Sequence, residues 1–253
     1  MRIPNLVPMI VTALLLAGMV LINFNPNLIW LIGTSLSVCL GLCLFWVTTR
    51  RLWSLDFWRL SITPLWLWLG SLTMLIVVEQ AWARWIIAVG APLLIGLFLD
   101  QARQFHSQPT VYQPYSLEHL SGTANILAIF SVFSSLYGLR LLLGLPWIFL
   151  IPVSLGAVAL LTHQTFWINK IDHRSSWRWW LAISLIIPEL FVTVGFLPTS
   201  YLVNALVVAA GFYLTVNLGR LTLLNSINHR MITRYLSISM TVIALTLLTA
   251  RWI

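Results

Sequence analysis

Long apolar runs, each close to a bilayer in length and closed by a short polar link, occupy almost the whole chain. A spanning helix needs about 20 mostly apolar residues, within a range of about 17–25. Nine stretches are candidates, of which 84–99 is the shortest and falls just under that range: 6–24, 28–47, 62–80, 84–99, 122–142, 146–166, 178–196, 199–219 and 234–250. In lipid the backbone must satisfy its own hydrogen bonds, so such runs become helices, and the period-2 alternation of a barrel is absent. Charged residues make up 8% of the chain, against about 25% in a soluble domain. A water-facing surface cannot be covered with so few. The expected fold is an all-α polytopic integral membrane protein of nine transmembrane helices in one membrane domain, 1–253. The first run follows Arg2 in the manner of a signal peptide. No small-x-small cleavage site follows it, and it reads as the first span.

The net charge of +8 belongs to the links. With the N-terminus cytoplasmic, the inner segments hold Arg2, Arg50, Arg51, Arg59, Arg103, Lys170, Arg174, Arg178, Arg220, Arg230 and Arg234. The outer segments hold Arg84, Arg140 and Arg251. Eleven against three is a positive-inside bias that adding or losing one interior span would destroy. It predicts a cytoplasmic N-terminus, an outer C-terminus and placement in the cell membrane. Basic charge so distributed argues against nucleic acid as a partner. Trp46, Trp53, Trp58, Trp167, Trp177, Trp179 and Trp180 fall near the inner interface, and Trp30, Trp82, Trp85, Trp147 and Trp252 near the outer one. They read as interfacial belts. The basic, aromatic segment 50–59, with Arg50, Arg51 and Arg59, is expected to lie against anionic lipid.

The two halves resemble one another. Leu31-Ile32-Gly33-Thr34-Ser35-Leu36 resembles Leu150-Ile151-Pro152-Val153-Ser154-Leu155. Glu79 matches Glu189, and Asp100-Gln101-Ala102-Arg103 matches Asn217-Leu218-Gly219-Arg220, at offsets of 119, 110 and 117 residues. Two parallel four-helix repeats follow, 1–99 and 122–219. An inner loop at 100–121 joins them, and 220–253 supplies an inner loop and a ninth helix. Asp100, Arg103, Asn217 and Arg220 then mark repeat-related inner helix ends.

Of six acidic residues, Glu79 and Glu189 sit in apolar surroundings. An ionisable group inside the membrane costs several kcal/mol unless it is paired, protonated or wet. Arg140 and Arg84 are the available counter-ions. Glu79, Glu189, Arg140 and Arg84 are therefore the candidate intramembrane polar site, facing outward. The five histidines lack ligand spacing, and no metal site is expected. Cys39 and Cys43 lie on one helix face, which is poor geometry for a disulfide. Phosphate-binding, hydrolase and metalloprotease motifs are missing, and no cofactor is assigned. Two readings remain. The leading one is a small transporter or permease-like component built on the outward-facing polar site. The other is a non-catalytic membrane subunit or scaffold that binds lipid, a membrane-protein partner or further copies of itself.

Overall fold

The computed structural model describes residues 6–47, 54–107, 113, 115–226 and 228–250. Among these it holds nine helices long and apolar enough to cross a membrane, and no strand. They are α1 (Val7–Phe24), α2 (Ile29–Val47), α3 (Leu55–Val77), α4 (Ala81–Ser107), α5 (Ser116–Leu143), α6 (Trp147–Ile168), α7 (His173–Val194), α8 (Tyr201–Leu223) and α9 (His229–Thr249). A short 3-10 turn, Pro26–Leu28, joins α1 to α2. The nine spans read from the sequence are these nine helices.

Local chemistry sets the ends. Ser54, Asp172, Ser200 and Asn228 cap α3, α7, α8 and α9, each side chain accepting from a backbone N–H of the first turn. After α6, Lys170 takes φ 57°, with Ile171 N–H bonded to the Phe166 carbonyl and Lys170 N–H to that of Trp167. After α8, Asn225 takes φ 49° and repeats the pattern with Leu221 and Thr222. Both are Schellman closures that use carbonyls the helix leaves over. Pro64, Pro92, Pro152 and Pro188 lie inside helices, as membrane helices tolerate.

Several elements exceed their apolar runs. α4 continues to Ser107 and α5 starts at Ser116, so most of the expected loop 100–121 is helix. α3 begins at Leu55 instead of 62, so the later part of the expected interfacial segment forms its first turns. Arg59 lies there, 3.9 Å from Asp56. Arg50 and Arg51 fall outside the described residues. Hydropathy registers only the part of a helix in hydrocarbon, whereas backbone hydrogen bonding carries it on into the headgroup layer.

The chain divides into two compact units, Met1–Ala128 and Ile129–Ile253, with α5 running across the boundary. In the first, α1 packs on α4 and α2, and α3 on α2 and α4. The α1–α4 seam is close: a Cβ on Gly96 would collide with the Thr12 side chain. The core includes Leu15, Met19, Leu40, Leu60, Trp68, Ile95 and Phe98. Trp68 donates from Nε1 to Ser37 Oγ (3.0 Å), and Thr63 Oγ1 donates to Asn125 Oδ1 (2.8 Å). In the second unit α7 packs on α6 and α8, and α8 on α9. Its core gathers Phe133, Phe191, Phe212, Val158 and Leu161. α9 is peripheral, and Ser239 is its one buried residue.

Candidate functional site

Glu79 follows the end of α3. The helix closes at Val77, and Val78, Glu79 and Gln80 form the link to α4, with Glu79 exposed. It is a link residue, not the late member of span three that the apolar run 62–80 implies. Its carboxylate lies just ahead of the α4 N-terminus, where a negative charge is favoured. Arg84, in the first turn of α4, makes no ion pair with it. Arg84 Nη2 donates instead to the Asn23 carbonyl (3.3 Å) in the last turn of α1, while its Nε is buried without a partner. A cation at a helix C-terminus complements the dipole there.

Glu189 is exposed on α7. It lies about 16 Å along the helix from Arg178 and about 8 Å short of the helix end, taking 1.5 Å per residue. Exposed Phe196 lies beyond it in the chain. Ile183, Ile187, Phe191 and Val194 form the buried face of α7. Glu189 is two residues from both Ile187 and Phe191, which is about 200° around a helix, so it points away from that core.

Arg140 belongs to the other side of α7. The Phe191 ring packs against Phe133 (5.0 Å between centroids), Tyr137 (4.6 Å) and Trp147 (5.1 Å). Tyr137 Oη donates to the Phe191 carbonyl (2.6 Å). The Arg140 guanidinium stacks 4.0 Å above the Trp147 ring and makes a long 3.5 Å contact to the Leu145 carbonyl. Cation–π stacking and the α5 C-terminus hold this charge. Neither Glu79 with Arg84 nor Glu189 with Arg140 forms a salt bridge.

The two helix ends expected to correspond differ chemically. On α4, Asp100 accepts from Arg103 Nη2 (2.7 Å) and Nε (3.2 Å) and, through its other oxygen, from Gln104 (2.8 Å). The adjacent Gln101 accepts from Ser116 Oγ at the start of α5 (2.6 Å). On α8, Asn217 stands where the acid would be, and its Nδ2 donates back to the Tyr213 carbonyl (2.7 Å). Arg220 then reaches Asn169 Oδ1 (3.4 Å) and Tyr235 Oη (3.3 Å), both neutral.

Other features carry less chemistry. An apolar groove of about 420 Å³ runs between α2 and α3, past Gly33, Ser37, Leu72 and Thr73, with no charged residue in its walls. Among the described residues no three His, Cys, Asp or Glu side chains come together as metal ligands. Cys39 and Cys43 are free thiols. Two polar contacts were not singled out from sequence, Trp68 with Ser37 and Thr63 with Asn125. The available signal was a tryptophan in mid-span, outside the belts. No known protein family, curated protein or solved structure matches the chain.

Proposed function

We propose that the chain is a non-catalytic membrane subunit whose α7 face packs against another membrane segment around Glu189. One observation carries the reading: an exposed carboxylate without an ion pair, inside a helix long and apolar enough to cross a membrane, whose opposite face is filled by the core. A lone carboxylate against lipid costs several kcal/mol, and a partner that brings a cation or hydrogen-bond donors removes that cost. The surrounding surface suits such a partner. Leu181, Leu185 and Ile186 are exposed on α7, Phe196 is exposed just past its end, and exposed Thr193 lies one turn beyond Glu189. The positive-inside distribution supports a cytoplasmic N-terminus and an outer C-terminus in the cell membrane. The four-plus-four repeat remains part of this reading, carried by its sequence matches.

A transporter using Glu79, Glu189 and Arg140 as an outward-facing site is the second reading. It draws on Pro188, which removes a backbone donor next to Glu189. Against it, Arg140 is already occupied by Trp147.

Extraction of the full chain from native membranes in a mild detergent separates the two. Wild type is expected to copurify with a membrane partner or a second copy, and Glu189→Leu to lose it while still inserting. A monomer without a partner in both forms overturns the subunit reading. Uptake by the isolated chain that Glu79→Gln and Glu189→Gln both abolish would replace it with the transporter.

A further inference from the structure

The end of the second unit where α6 and α8 finish carries six basic side chains against one acid, Asp172. Lys170, Arg174 and Arg178 follow α6, and Arg220, Arg230 and Arg234 surround the α8–α9 link. The second unit has only two carboxylates. Asp172 caps α7 by accepting from Arg174 N–H, and Glu189 sits near the opposite end of α7. Arg220 is half-buried and has neither of them.

Its surroundings are arranged. Asn169 donates from Nδ2 to the Thr165 carbonyl (2.7 Å), which fixes its Oδ1 toward Arg220. Tyr235 and Tyr213 stack edge to face at 5.7 Å, bringing α9 against α8. Arg234 directly precedes Tyr235 on α9 and is exposed, so a second guanidinium is carried beside the residue that Arg220 reaches. Two arginines, one from each helix, thus flank a pair of phenols, with Arg220 in contact with Tyr235 and Arg234 next to it in sequence. An unbalanced guanidinium half-removed from water is unfavourable, and its planar set of donors matches phosphate oxygens.

The first unit supplies an internal contrast. There the residue three before the arginine is an acid, and Asp100 neutralises Arg103 at 2.7 Å. In the second unit the same spacing holds Asn217, whose amide turns back onto its own helix. Replacing the acid by an amide leaves Arg220 with its charge and only two long, neutral contacts.

We propose that Arg220 and Arg234, with Tyr213 and Tyr235, form a phosphate-binding site between α8 and α9. The chemistry is that of a phosphate group at the depth of the headgroup layer, from an anionic lipid or from free phosphate. Basic pockets at helix ends hold lipid headgroups in this way. Exposed Met231 and Leu236 nearby on α9 offer an apolar surface for an adjoining acyl chain. A phosphate bridging the two arginines would also tie down α9, which otherwise buries only Ser239. This site is independent of the α7 surface, and neither stands or falls with the other.

The test uses the purified full chain in neutral detergent, titrated separately with phosphatidic acid, phosphatidylcholine and inorganic phosphate while thermal unfolding is followed. Phosphatidic acid is expected to raise the midpoint, phosphatidylcholine to leave it unchanged, and Arg220→Gln or Arg234→Gln to weaken the effect about tenfold or more. Asn217→Asp restores the internal carboxylate and keeps Arg220, so it is expected to weaken the effect in a folded protein. Arg178→Gln, an exposed residue on α7, is the control. A shift from lipid alone assigns the site to a headgroup, and an equal shift from inorganic phosphate assigns it to the free anion. Wild-type stabilisation that Arg220→Gln, Arg234→Gln and Asn217→Asp all leave intact overturns the proposal. So does wild type that responds to neither anion.

Discussion

Individual side chains show where apolar sequence is informative and where it is silent. Trp68 lies in the same run as the belt tryptophans flank, yet it is fully buried and hydrogen-bonded to Ser37. Two effects stabilise it, and their sizes differ. An interhelical hydrogen bond in a membrane is worth about 0.6 kcal/mol, up to about 1.7. Emptying a buried tryptophan site costs about 3–5 kcal/mol. Trp68→Phe should therefore lower stability by about 1 kcal/mol and Trp68→Ala by several times as much, measured by thermal unfolding in detergent. Equal losses would mean that the hydrogen bond dominates. The sequence singles out Glu189 and Arg140 by their hydrophobic context alone. It did not pair them correctly, because pairing depends on which side of a helix each residue occupies. The packing of Phe191 against Tyr137 and Trp147 decides this for α7, and those partners are far off in sequence.

At the scale of the helix, number and order were legible while ends and seams were not. A run of apolar residues reports the thickness of hydrocarbon, so nine runs gave nine helices. The same signal stops at the membrane surface and missed the last turns of α4 and the first of α3 and α5. Caps such as Ser200 and Asn228 were readable residues, but their role depends on the first-turn N–H groups they meet. The α1–α4 seam was hidden for a different reason. Gly96 resembles any other small residue in a span until Thr12 is placed against it. Small residues that let backbones approach are a main source of helix association in lipid. Gly96→Val should therefore force α4 from α1 and cost about 1–3 kcal/mol, as overpacking does. Gly90 has open space around it, so Gly90→Ala is the matched control and should be neutral or slightly stabilising. A thermal-shift comparison of the two would separate packing from helix propensity, and equal effects would sink the argument.

For the molecule as a whole, alternation is the governing constraint. If all nine helices of the described residues cross, an odd number of crossings is expected to put the start of α1 and the end of α9 on opposite faces, with each link opposite its neighbours. Charge then chooses which face is which. Eleven of the fourteen basic residues belong to one set of links and the helix turns next to them, and lysine and arginine near span ends are retained on the cytoplasmic side. Exposed link residues convert this into a labelling experiment: Glu79 between α3 and α4, Gln113 between α4 and α5, Pro198 between α7 and α8, and Ser226 between α8 and α9. With Cys39 and Cys43 replaced by alanine, single cysteines at these positions can be treated in intact cells with a membrane-impermeant maleimide. Cysteines at 79 and 198 should react at once, and those at 113 and 226 only after permeabilisation. The reverse pattern would keep the nine spans and invert the orientation, placing Arg220 and Arg234 outside. Equal reactivity at 79 and 113 would mean that α4 does not cross, and equal reactivity at 198 and 226 that α8 does not. Either result would break the alternation on which both proposed sites depend, since Glu189 requires a membrane-spanning α7 and the phosphate site requires Arg220 at the headgroup depth.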